Sequence, residues 1–317
     1  MNLSLSLARR AGCDENCQRD VLLKVAGTLP EFPMDSRPPE MSLIIQNLVR
    51  DITGIADPFR EDKKESNRFA LEAAPKVRRL IRSAEDPLLT AIEFSIAGNS
   101  IDYGASHDLD LLKTMDTLIE DESSRIRSEN PEHFQLDELK TKLKKSGTLL
   151  YITDNAGEIV FDMLLIELLQ ELYPDLAITV AVRNSPVLND ATLEDAEEIG
   201  LTRMVPVISS GSDAAGTVIS FCSRDFLDRF YAADMVIAKG QGNYETLSDV
   251  DREVFLMFKS KCNVIARHSG SNVGDIILLR GGGQAKSDGQ AKSDGQAKSD
   301  GQAKSDGQAK GGGQPGN

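Results

Sequence analysis

After Gly147 the chain changes texture. The short apolar runs "TLLYIT", "LAITVAV", "MVPVIS", "DMVIAK" and "NVIA", and last "DIILL", alternate with the helical patterns "GEIVFDMLLIELLQELY", "ATLEDAEEIG", "SRDFLDRFYAA" and "LSDVDREVFLMFKSK". Strands that are apolar throughout, rather than on alternate residues, are covered on both faces, which requires a mostly parallel sheet with helices on either side. Residues 147–280 are therefore expected to form a doubly wound α/β domain.

The preceding residues 1–146 read as helical, through "RDVLLKVAGTL", "PPEMSLIIQNLVRDITG", "SNRFALEAAPKVRRLIRS", "DPLLTAIEFSIAG", "HDLDLLKTMDTLIEDES" and "DELKTKLKKSG". Gly54, Gly98 and Gly147 close such segments and Pro38, Pro39, Pro58 and Pro87 open or precede them. This half is expected to be an all-helical domain packed on the sheet domain. Residues 281–317 carry "GQAKSD" four times from Gly283, with no large apolar residue after Leu279. Such a segment cannot build a core and is expected to be a disordered tail.

Because the tail is almost neutral, the net charge of −14 belongs to the rest of the chain, and no Lys/Arg-rich run is present to follow a phosphate backbone. A nucleic-acid partner is not expected. No apolar stretch reaches the roughly 18 residues of a membrane span, and "MNLSLSLARRAGC" lacks the order of a signal peptide. The expectation is a cytoplasmic protein with no membrane partner. Cys13, Cys17, Cys222 and Cys262 make no C-x-x-C pair and are expected to be free thiols, the latter two in the core. His107, His133 and His268 have no partners in sequence and are read as surface or satisfied structural residues.

In doubly wound sheets ligands bind outside the carboxyl ends of the strands, so the residues just beyond each strand matter most. After the first comes "DNAGE" with Asp154, Asn155 and Glu158; after the second, "RNSPVLND" with Asp190; after the third, "SSGSDAAGT"; after the fourth, "KGQGNYE" with Lys239 and Asn243. Asp154, Asn155 and Asp190 offer hard oxygens without imidazole or thiolate, which suits Mg2+ or Mn2+ better than structural zinc. Lys239 supplies a point charge and the Gly-rich turns supply N–H groups, both suited to a phosphate. Metal and phosphoryl group together indicate phosphoryl transfer or phosphate-ester hydrolysis.

Each residue has a structural alternative. Asp154 and Asn155 could make a turn and a helix cap, Asp190 could cap "ATLEDAEEIG", and "KGQGN" could be a left-handed turn. Their coincidence on one sheet edge favours a site. Competing motifs fail: "GSDAAGT" has P-loop spacing but no Lys after Gly216, "KGQGNYE" lacks the third Gly of a dinucleotide fingerprint, and Ala156 stands where a phospho-aspartate phosphatase needs its second Asp.

"YITDNAGEIVFD", "NSPVLNDATLEDA", "KGQGNYE" and "MFKSKCNVIARHSGSNVGD", with "DPFREDKKESN" and "GNSIDYG" in the helical half, resemble the metal-dependent damage-control phosphatases. That is the former domain of unknown function shared with the acidic-residue-methyltransferase-like proteins. The resemblance spans about residues 18–280 and implies a helical domain packed on a Rossmann-like domain. It implies Asp154, Asn155 and Asp190 as ligands of a divalent metal (Mn2+, Co2+, Ni2+ or Mg2+). Lys239, Asn243 and either Lys259 or Lys261 would meet the substrate phosphate, with the spacing favouring Lys259. Asn99 and Asp102 would reach over the pocket from the helical half. The implied activity is hydrolysis of small phosphorylated metabolites, sugar phosphates or damaged derivatives, with Glu158 or Asp190 orienting water or acting as nucleophile. Two other readings use the same residues: carboxyl methyl transfer from S-adenosylmethionine, disfavoured by the single Gly of "DNAGE", and non-catalytic binding of a phosphometabolite.

Overall fold

The apolar runs pair into one six-stranded sheet in the order β3-β2-β1-β4-β5-β6. The strands are β1 (Thr148–Ile152), β2 (Ala177–Val182), β3 (Val207–Ser209), β4 (Met235–Lys239), β5 (Val254–Lys259) and β6 (Ile276–Gly281). All neighbours are parallel except β6, which returns antiparallel along β5. The structure is a computed structural model that describes residues 1–32, 37–98 and 130–283. The strand order reverses between β1 and β4, where Ile152 pairs with Ala238. At such a reversal the connections leave in opposite directions and open a crevice at the carboxyl ends. The doubly wound, mostly parallel sheet and the helical first half are thus as expected.

One strand differs from the sequence reading. β5 lies inside "LSDVDREVFLMFKSK", expected to be helical, while "NVIA" begins a helix instead. Val254 to Phe258 are all buried, with Phe255 and Met257 facing one core and Leu256 and Phe258 the other. A short run that is apolar on both faces carries no period to tell strand from helix.

The helices are α1 (Asn2–Arg10), α2 (Glu15–Thr28), α3 (Pro38–Thr53), α4 (Arg60–Ser83), α5 (Pro87–Ala97), α6 (Leu136–Leu143), α7 (Glu158–Leu172), α8 (Leu193–Glu198), α9 (Arg224–Ala232), α10 (Gln241–Leu247) and α11 (Asn263–Ser269). One face of the sheet, with Tyr151, Ile237 and Met257, shares a single core with α4, α5 and α7. The boundary expected at residue 146 therefore falls within a common core. The other face packs Phe226 and Phe230 of α9, Tyr244 of α10 and Ile265 of α11.

Helix α7 is apolar almost all round because it lies between sheet and helices. Glu158 and Asp162 are the polar residues that it buries. Gly98, after α5, permits the close approach of that layer: an added Cβ would sit 2.6 Å from the Phe161 ring. The helices α1, α2 and α3 bury a small core of their own around Leu7, Val21, Val25 and Val49. Among the described residues no helix is long and apolar enough to cross a membrane.

Two minor expectations are corrected. Cys13 and Cys17 are joined as a disulfide rather than free, one turn apart where Asp14 caps α2. His133 is buried, and its Nδ1 has no hydrogen-bond partner among the described residues. His268 is satisfied, its Nδ1 lying 2.7 Å from the Tyr244 hydroxyl. Cys222 and Cys262 are half-buried free thiols packed against the second core. His107 and the repeat tail from residue 284 lie outside the described residues.

Candidate active site at the sheet reversal

The loops after β1 and β2 are zipped together by their backbones. The Ala156 N–H donates to Asn189 O (2.9 Å) and the Ala191 N–H to Asp154 O (2.8 Å), and Asn155 and Asp190 face each other as an antiparallel bridge. Asp154, Asn155 and Asp190 are thereby brought together, all buried. Asn155 Nδ2 donates to Asp154 Oδ2 (2.9 Å) and to Glu158 Oε2 (3.4 Å), while no described residue donates to its Oδ1. Asp190 does not cap the next helix. Thr192 does, in a capping box with Asp195.

Asp190 has a buried counter-ion that the sequence did not single out. Arg183, at the end of β2, donates through Nε to Asp190 Oδ2 at 2.8 Å. Burial pushes the Asp190 carboxyl up to about 7, against the pull of Arg183 and with the repulsion of Asp154 adding to it. Burial likewise raises Asp154, opposed first by Lys261 and then by Arg183 and Lys239.

Lys239 ends β4 and is fully buried. Its ammonium donates to Glu158 Oε1 (2.6 Å), Asp162 Oδ1 (2.7 Å) and Ser95 O (2.9 Å), so all three N–H donors are spent inside the protein. Burial disfavours its charge, but Asp162 and Glu158 outweigh that and raise it to about 12. Glu158 is pushed up to about 8, by burial first and then by Asp154 and Asp162 against Lys239. Lys239 stays charged between the Glu158 and Asp162 carboxylates. The expectation that Lys239 meets phosphate directly is corrected on this geometry: it is the internal counter-ion of Glu158 and Asp162.

Asn243 is corrected in the same way. Its Nδ2 donates to Thr153 O (3.2 Å) and Lys239 O (2.7 Å), and its Oδ1 accepts from Arg183 and Thr217. It ties β1 to β4 and has no capacity left for a ligand. Asp162 was not anticipated either, although an acid inside an apolar helix, one turn after Glu158, is a legible signal.

Gly240 follows Lys239 with φ 84°, and a Cβ there would overlap the Asp154 carboxylate. Lys261, which also lowers Asp154, has its N–H on Gln241 Oε1 at 3.0 Å. Lys259 ends β5 on the sheet face of Met257 and Lys239. Asn99 and Asp102 lie outside the described residues.

The helical half also reaches the loops. Asn67 of α4 accepts from the Gly157 N–H (2.7 Å) and donates to Asp195 Oδ1 (3.0 Å), while Lys63 pairs with Asp57 and Asp195. These polar residues continue the buried stripe of α4, and their polarity on that stripe is the signal the sequence carries.

Among the described residues no group of three His, Cys, Asp or Glu side chains is placed to hold a metal ion. The set at the reversal instead comprises two carboxylates and an amide oxygen. That donor set fits a hard divalent cation completed by water or substrate oxygens. The raised carboxyls are what such a cation would relieve.

Known proteins resemble this chain over most of its length. The family model described as damage-control phosphatase ARMT1-like domain matches residues 4–277. The uncharacterized protein MJ0202 of Methanocaldococcus jannaschii is 37% identical over 251 residues, covering 77% of this chain and 80% of that protein. Damage-control phosphatase PH1575 of Pyrococcus horikoshii is 34% identical over 241 residues, 75% of this chain and 79% of its own. A damage-control phosphatase of Archaeoglobus fulgidus is 32% identical over 235 residues, 74% and 79% of the two chains. The crystal structure of PH1575, a DUF89 family protein, superposes with a TM-score of 0.80 at 30% identity, covering 88% of this chain and 95% of that one. The resemblance read from the sequence motifs is borne out: the chain belongs to the damage-control phosphatase ARMT1-like family.

Proposed function

We infer that the chain is a phosphatase of damaged metabolites, and we propose that it hydrolyses phosphate esters of small metabolites in the cytoplasm. Sugar phosphates or their damaged derivatives are the substrate class, and a divalent cation (Mn2+, Co2+, Ni2+ or Mg2+) is held by Asp154, Asn155 and Asp190. The observation that carries the reading is the meeting of these three oxygen donors at the sheet reversal, on loops zipped by backbone hydrogen bonds. A cation bound there supplies Lewis-acid stabilisation of the charge on the phosphoryl oxygens.

The chain's own residues do the rest. Lys261 and Lys259 attract and hold the phosphate. Of the two carboxylates considered for proton handling, Asp190 is held by Arg183, whereas Glu158 lies beside the Asn155 amide on the Lys239 ammonium. Glu158 is therefore assigned the proton of the attacking water. The water oxygen bonds to phosphorus as the ester P–O bond breaks with its electron pair on the metabolite oxygen, which takes up a proton from solvent.

The test is release of inorganic phosphate from a panel of sugar phosphates, with each of the four cations supplied in turn. Metal-dependent release supports the reading. Binding of S-adenosylmethionine without release points to a methyltransferase, and binding of sugar phosphate without turnover to a sensor.

A further inference from the structure

Arg183 sits at the junction of four loops. Besides Asp190, its guanidinium donates through Nη1 to Thr217 Oγ1 (3.2 Å) and through Nη2 to Asn243 Oδ1 (3.1 Å). Thr217 Oγ1 also donates to Asn243 Oδ1 (2.8 Å). The Asn243 amide passes the connection to Thr153 O and Lys239 O, at the ends of β1 and β4. One buried planar cation thus fixes the end of β2, the loop after β3 and, through a single amide, the two strands that flank the reversal. Arg183, Thr217 and Asn243 are all buried.

We propose that Arg183 is a positioning residue for the metal set: it holds Asp190 by Oδ2 and so presents Oδ1, to which no described residue donates, to the divalent cation. The inference rests on the metal reading above. It makes a prediction of opposite sign to a simple charge argument. A positive group beside a metal ligand repels the metal, so charge alone predicts tighter binding when Arg183 is weakened. Positioning predicts looser binding. Lysine separates the two, since it keeps the charge and loses the planar fork.

The experiment is Mn2+ affinity, read by electron paramagnetic resonance on the full chain, for the parent, Arg183→Lys and Thr217→Val, with the metal-free melting temperature of each. Arg183→Lys is expected to weaken Mn2+ binding about 10–100-fold, the usual effect of losing a group that orients a metal ligand. Thr217→Val, which removes only one support of the fork, is expected to give a smaller loss in the same direction. Parental or tighter affinity in Arg183→Lys overturns the inference, including when its melting temperature falls. If Arg183→Lys does not fold, parental affinity in Thr217→Val overturns it. A parent chain that binds no Mn2+ overturns the metal reading itself, and this inference with it.

Discussion

The Asp154 carboxylate occupies the space over Gly240 that any side chain would need. The first strand's acid and the turn after the fourth strand are thus fitted to each other across the sheet reversal. Gly240→Ala should force the carboxylate aside and place a Cβ at φ 84°, ψ 160°, a conformation that costs about 1–3 kcal/mol for a residue other than glycine. Expected together are a lower melting temperature and a loss of metal affinity. Unchanged Mn2+ affinity in a folded Gly240→Ala protein would show that Asp154 does not bind metal from this position.

Lys239→Gln tests whether that cation serves the fold or the substrate. Removing it leaves Glu158 and Asp162 buried without their counter-ion, a loss on the order of 3–5 kcal/mol. Chemical denaturation should register that loss in the absence of any substrate. A fold as stable as the parent, with only KM raised, would return Lys239 to the phosphate-binding role.

Asp190→Asn removes the charge that faces Arg183 inside the protein. The amide still accepts a hydrogen bond, but the buried guanidinium loses its counter-charge, and a metal-free stability loss of roughly 3 kcal/mol is expected. Metal affinity should fall as well. A loss of about 1 kcal/mol or less, the scale of a cap change, with parental metal affinity, would contradict both roles.

A pH dependence arises from the raised carboxyls. Glu158 at about 8 and Asp190 at about 7 lie above the ordinary carboxyl range. Between about pH 4 and pH 8 the folded metal-free chain therefore binds more protons than the unfolded chain. The contribution of these groups to stability is present at the acid end and is lost as pH rises through 7 and 8. A cation needs its ligand Asp190 ionised, so its binding releases protons. Calorimetric Mn2+ titrations at about pH 6, in buffers of different ionisation enthalpy, should show that release. Heats identical in every buffer would contradict it.

How much of this was legible in the sequence differs from element to element. Asp154, Asn155 and Asp190 could be found because each ends or follows an apolar run, and a parallel sheet brings all such ends to one edge. Strand β5 could not, because "VFLMF" is apolar on both faces. Arg183, and the structural role of Asn243, were hidden for another reason. Their meaning lies in partners 60 residues apart in sequence, and no local pattern encodes such a pairing. Asn67 and Lys63 fall on the buried stripe of α4, where their polarity marks an interior network that shows only once the stripe is known to face the loop after β2.

Turnover of p-nitrophenyl phosphate by metal-stripped protein, before and after Mn2+ is restored, measures the central claim most directly when the parent and Asp154→Asn are run side by side. The account predicts negligible turnover without metal, recovery on adding Mn2+ to the parent, and no recovery in Asp154→Asn. Turnover in the stripped parent equal to that of the restored protein, or full recovery in Asp154→Asn, would contradict it.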